Sequence, residues 1–114
     1  MEQSTNLKKF YNIQKLDYTQ VQKEFTKSIH ENVFRTNLDY LLANAEFYKF
    51  NKHVWRMRPD YFCADIYKHS FVYPVILLTN KLKSIFEFIP ENLPENVVVT
   101  PTLKSIIKIL KFKI

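Results

Sequence analysis

Glycine is absent from all 114 residues. Loops that cradle phosphate on a glycine backbone therefore have no material here, and the Walker and dinucleotide-binding fingerprints are excluded. Without glycine, every turn is expected to be made by Asn, Asp, Ser or Pro. A single cysteine, Cys63, rules out an intrachain disulfide. Its apolar neighbours mark it as a small core residue in reducing surroundings. No apolar run approaches the ~18 residues that a membrane-spanning helix needs, and no secretory leader pattern opens the chain.

Sparse, too, is the material of a catalytic or metal centre. The three histidines, His30, His53 and His69, have no metal-ligand spacing with one another or with Cys63. A Cys63–His69 pair across a turn is a weak nucleophile–base signal, because Cys63 faces inward. Asp60 and Asp65 do not share a helical face well, and Asp60 is better explained as a first-turn helix residue favoured by the helix dipole. The expectation is no enzyme, no cofactor, no metal and no small-molecule substrate.

Aromatics are abundant instead: ten Phe, seven Tyr and one Trp. Such a chain folds, and at this length it makes one domain that buries roughly two-thirds of its unfolded surface. The net charge is +6, from 17 Lys and Arg against 11 Asp and Glu. The cations are mostly lysines spread along the chain. That pattern suits a soluble basic surface that meets acidic partners, and it lacks the grouped side chains of specific nucleic-acid readout.

Residues 54–80 organise the rest. Val54, Trp55, Arg56 and Met57 alternate as in a strand, and Arg58-Pro59-Asp60 opens a helix, with proline at its first position. Phe62, Cys63, Ile66 and Tyr67 fall on one helical face. Lys68-His69-Ser70 breaks the pattern before a second helix over residues 71–82. Upstream, Val21, Phe25 and Ile29 are spaced four apart and predict a helix. Residues 46–50 read as a strand that forms a hairpin with the Val54 strand across Asn51-Lys52. Downstream, residues 83–95 read as loop. Val97-Val98-Val99-Thr100 is a β-branched strand stopped by Pro101. From Thr102 a helix is expected, with Leu103, Ile106, Ile107 and Leu110 on one face. Phe62, Ile66, Ile76 and Leu77 form the expected core.

The order strand, helix, helix, strand resembles a LysM module, a βααβ unit of about fifty residues. Arg58-Pro59-Asp60 stands where that family has a glycine–aspartate turn, and the glycine between its helices is replaced near Lys68-His69-Ser70. A second resemblance falls on the same region. Asn32-Val33-Phe34-Arg35-Thr36-Asn37, Asp39-Tyr40, Arg58-Pro59-Asp60, Ala64-Asp65-Ile66-Tyr67 and Tyr73-Pro74-Val75-Ile76-Leu77-Leu78-Thr79-Asn80 look like a baseplate wedge protein of contractile-tailed bacteriophages. Pro74 occupies the usual position of a tryptophan in that family.

These resemblances imply a virion structural protein, assembled in the host cytoplasm into the tail baseplate. It would have a LysM-like core within an α+β fold, other baseplate or tail proteins as partners, and no catalytic residues. The alternative they imply is a LysM-type peptidoglycan- or glycan-binding module, which the loss of the loop glycines counts against. The expected organisation is an N-terminal arm and helix over 1–45, the core over 46–101 and an amphipathic tail over 102–114. Residues 7–16 and 102–114 carry many large apolar groups and are expected to be assembly arms. The expected interface residues are Phe10, Ile13, Phe34, Arg35, Trp55, Ile106 and Leu110.

Overall fold

The computed structural model describes residues 18–110. The four-residue spacing of Val21, Phe25 and Ile29 forms helix α1, Tyr18–His30. Val21 and Phe25 are buried, and Ile29 packs against the same core. Two short helices follow: α2, Val33–Thr36, and α3, Leu38–Ala43. The Phe34 ring of α2 lies 5.0 Å from that of Phe25, and Leu41 of α3 is fully buried. Neither helix is long enough to persist alone, so packing holds both.

Strand β1, Glu46–Lys49, leads through a 3₁₀ turn, His53–Trp55, to helix α4, Pro59–Tyr67. Pro59 at its start sits where a missing N–H costs nothing. A second 3₁₀ turn, Ser70–Val72, enters helix α5, Tyr73–Thr79. Three further 3₁₀ turns, Ile85–Glu87, Pro90–Asn92 and Pro94–Asn96, carry the chain to strand β2, Val97–Thr100. Helix α6, Leu103–Ile109, closes the described chain. Its N-cap is Thr102, whose hydroxyl accepts the Ser105 N–H at 3.1 Å.

This is a small α+β fold in which β1, α4, α5 and β2 follow one another as strand, helix, helix, strand. The two strands pair antiparallel, Phe47 opposite Val99 and Tyr48 opposite Val98. Tyr48 and Val98 point to the core face, where Phe62 of α4 meets the Tyr48 ring edge-on at 6.2 Å. Of the expected core residues, Phe62 and Ile76 are fully buried and Leu77 nearly so, while Ile66 is half-buried at the margin.

The expected hairpin is corrected. His53–Trp55 is a 3₁₀ turn, and the partner of β1 is β2, about fifty residues further along the chain. The alternation of residues 54–57 had another cause: Trp55 turns inward to 4 % exposure, while Val54 and Met57 face solvent. The second central helix is also shorter than expected, because residues 70–72 form a 3₁₀ turn and the α-helix ends at Thr79. Within the expected loop over 83–95, all three turns are of 3₁₀ type.

A larger correction concerns the C-terminal arm. Ile106, Ile107 and Ile109 of α6 and Leu110 just beyond it are buried, and α6 packs on α3. One hydrophobic cluster runs from Val21 on α1 through the βααβ segment to Leu110. Residues 102–110 complete the protein's own core and are not a free tail, and the division at 45 and 101 crosses that cluster. The expected arm over 7–16 lies outside the described residues.

Turn chemistry departs from expectation as well. Among the described residues six have positive φ, and two of these, Asn32 and Asn96, tolerate that region readily. Met57, Lys68, Lys81 and Glu95 are the others. Lys68 ends α4 at φ 65°, the position at which helices favour glycine.

Two outcomes follow from this packing. Ile106→Ala should lower unfolding stability by about 2–5 kcal/mol in urea titration, as for a core cavity; a loss within error would mean that α6 is not part of the core. Lys68→Gly should raise stability by about 0.5–1 kcal/mol through relief of the left-handed backbone. An unchanged or lower midpoint would show that Lys68 bears no strain.

Candidate interaction surface

Among the described residues the sheet has two strands, so each has one side without a described strand neighbour. Asn80, one residue beyond α5, occupies that side of β2. Its side-chain amide donates to the Val99 carbonyl at 3.0 Å and to the Ile76 carbonyl at 2.8 Å, and its oxygen accepts the Val99 N–H at 2.8 Å. The Thr79 hydroxyl donates to the same Val99 carbonyl at 2.9 Å. Asn80 thus does what a third strand would do for Val99. Because both polar groups of Val99 point at Asn80, Val99 and Phe47 form a non-hydrogen-bonded pair. The Phe50 N–H bonds the Asn96 carbonyl at 2.8 Å, which fits the same alternation. The backbone groups of Phe47 and Lys49 therefore face outward from β1. The Phe47 side chain is 70 % exposed.

A second feature stands on an aromatic cluster. The Trp55 ring packs edge-on against Phe62 at 4.8 Å and Phe50 at 5.9 Å, and Phe88 lies 5.2 Å from Phe50. Above it is a cleft of about 250 Å³ lined by Phe50, Asn51, Lys52, His53, Arg56 and Pro90. Its cations are matched. The Trp55 indole N–H donates to Asp65 Oδ2 at 2.8 Å and Lys52 Nζ reaches the same oxygen at 3.3 Å, which together hold the Asp65 carboxyl below its usual range. Arg56 forms a two-pronged pair with Glu91, at 2.8 and 3.1 Å, which lowers the Glu91 pKa. Such exposed pairs fix the loops more than they stabilise the fold.

Beside the cleft, the Met57 N–H bonds the Phe88 carbonyl at 2.8 Å and joins the turn after β1 to the turn after α5. Exposed apolar side chains crowd these two turns: Val54 and Met57 on one, Ile85 and Phe86 on the other, with Phe86 70 % exposed. Nearby in sequence, the Arg58 guanidinium lies 3.7 Å over the exposed Tyr61 ring and makes two hydrogen bonds to Asp60. Those bonds lower the Asp60 pKa.

The expected interface residues do not come together. Phe34, Trp55, Ile106 and Leu110 are buried in the protein's own core, where no partner reaches them. Arg35 is exposed. Phe10 and Ile13 lie outside the described residues. Cys63 is fully buried, and burial pushes its thiol pKa up, away from the reactive thiolate. No hydrogen bond joins it to His69, whose ring stacks on Tyr18 at 4.0 Å and whose pKa burial lowers. Among the described residues, no three His, Cys, Asp or Glu are placed to hold a metal ion, and no helix is long and apolar enough to cross a membrane.

No known protein family, no curated protein and no solved structure matches the chain. The features that matter most on this surface went unread in the sequence. Asn80 falls within the helix expected over residues 71–82, and its amide acquires its role only once Val99, nineteen positions away, is beside it. Phe47 and Phe86 carried no periodic signal that would mark them as exposed.

Replacing Asn80 tests the clasp. Asn80→Ala leaves the Val99 N–H without its partner and should cost about 1–3 kcal/mol in thermal unfolding. Asn80→Asp should cost a similar amount, since it sets an oxygen against the Val99 carbonyl. Full stability in both variants would mean that water serves Val99 equally well.

Proposed function

We propose that this chain is a structural subunit of the tail baseplate of a contractile-tailed bacteriophage, a wedge component that acts through protein–protein contacts. The reading has it assembled in the host cytoplasm, carried in the virion and bound to other baseplate proteins, with no catalytic role. The sequence resemblance over roughly residues 30–100 suggests the class. The observation that carries the assembly role is the exposed apolar set Val54, Met57, Ile85 and Phe86 on two adjoining turns. Apolar side chains grouped on the surface of a small domain mark contact sites. Paired charges at Arg56–Glu91 and Lys52–Asp65 beside the set supply a polar rim of the kind that surrounds such contacts.

One observation favours a second reading, a LysM-type glycan-binding module. The strand, helix, helix, strand order with paired antiparallel strands is the order of that family, and the loops next to the helices border a cleft. Against it, the close approach of a sugar to backbone is hindered where Met57 and Lys68 carry side chains at positive φ.

The test is incorporation into tail particles isolated from the producing cells. The chain should be found in baseplates by mass spectrometry. Phe86→Asp or Met57→Asp should cut its incorporation about tenfold or more, as for loss of a buried contact, while circular dichroism stays unchanged. Absence from the particles, or undiminished incorporation of both variants, rules out the assembly role. Saturable binding of the purified chain to peptidoglycan or chitin would put the second reading first.

A further inference from the structure

We infer that β1 is the contact strand of a symmetric dimer, in which two copies pair edge to edge into one four-stranded antiparallel sheet. This goes beyond the assembly reading and does not depend on it, because it rests on the hydrogen-bond register of the sheet.

On the outer side of β2 the clasp at Asn80 takes both polar groups of Val99 and leaves Val97 as the one outward residue, whereas β1 presents two outward residues with no partner among the described residues. The outward backbone groups belong to Phe47 and Lys49, and no described partner takes them. An open edge of paired N–H and C=O groups is a template for another strand. The short strand narrows which strand fits. For two copies related by a twofold axis, outward residues must face outward residues. Two registers centred on the strand meet that condition. One sets Phe47 opposite Phe47 of the other copy and requires Ala45 opposite Lys49, but the Ala45 N–H is already bonded to the Leu42 carbonyl at 3.3 Å. The other centres on Tyr48 and sets Phe47 opposite Lys49 twice. In that register each outward N–H meets an outward C=O, and no donor already in use is needed.

The side chains agree with the second register. Phe47 would face Lys49 of the other copy, whose alkyl stem would lie against the exposed aromatic ring while its Nζ bonds the Glu95 carbonyl at 3.0 Å. Glu46 would face Phe50, so no like charges stand directly opposite. Phe47, 70 % exposed in the single chain, would be covered, and the half-buried Val97 and Val99 would line the same face of the enlarged sheet. A strand of different sequence could use the same edge, but only a second copy brings a lysine opposite each Phe47 by symmetry.

Sedimentation velocity of the purified full chain at rising concentration tests this. The chain should pass from monomer to dimer. Phe47→Lys, at a site too exposed to disturb the fold, sets one lysine against Lys49 of the other copy at each of the two symmetric positions. It should weaken the dimer about tenfold or more. Adding Lys49→Glu to that variant converts both pairs to opposite charges and should restore dimerisation. A chain that stays monomeric, a dimer indifferent to Phe47→Lys, or a double variant no tighter than the single one would each overturn the inference. Circular dichroism of each variant confirms that the monomer remains folded.

Discussion

The structure depends on how Val99 is satisfied. A two-stranded sheet in a small domain is marginal by itself, because each strand has one side of unpaired backbone groups. Here a side chain takes the place of a strand. Asn80 bonds both polar groups of Val99 while also reaching back to the Ile76 carbonyl, so one amide joins the end of α5 to β2. Thr79 reinforces the join from the preceding position. That fixes which residues of β2 face β1, and hence which residues of β1 face outward. The alternation that buries Tyr48 and Val98 on the helix side is the same alternation that leaves Phe47 exposed.

Around that join, the core is built by aromatic edges rather than by long helices. Phe25 meets Phe34 and Phe71, and Phe62 meets Trp55, Tyr48 and Phe88. Each ring pair adds about 0.5–1.5 kcal/mol beyond the area it buries. Such contacts can hold elements of four to nine residues that have no stability alone. They join α1 to the central segment through Phe25, while α6, from the other end of the described chain, enters the same core through the aliphatic Ile106 and Ile109. Tyr67 belongs to this arrangement too: its buried hydroxyl donates to the Pro101 carbonyl and ties α4 to the end of β2.

A chain without glycine folds here by accepting backbone conformations that glycine would take more cheaply. Met57, Lys68, Lys81 and Glu95 all sit at positive φ, each at a turn between elements. The cost is tolerable because neighbouring bonds hold the turns in place, as at Met57, whose N–H is bound to Phe88 O. Side chains at those turns also fill space at the surface. Met57 is itself one of the exposed apolar residues of the candidate contact surface.

What the sequence determined by itself was local. The four-residue spacing of Val21, Phe25 and Ile29 made α1, Pro59 started α4, the β-branched run made β2, and Thr102 opened α6. Each rests on chemistry within a few residues, so each was legible. Tertiary structure decided the rest. The partner of β1 is β2 and not the nearby residues 54–57, because strand pairing is settled by what lies across the sheet and not by sequence distance. The fate of apolar faces was likewise undetermined. Phe34, Trp55, Ile106 and Leu110 suit an interface and a core equally well, and only the folded chain shows that their own neighbours cover them. Conversely, Phe47 and Phe86 have a core composition, and the register and the turns place them in solvent. An apolar side chain carries the tendency to be buried, but the geometry of the whole chain selects the surface that buries it.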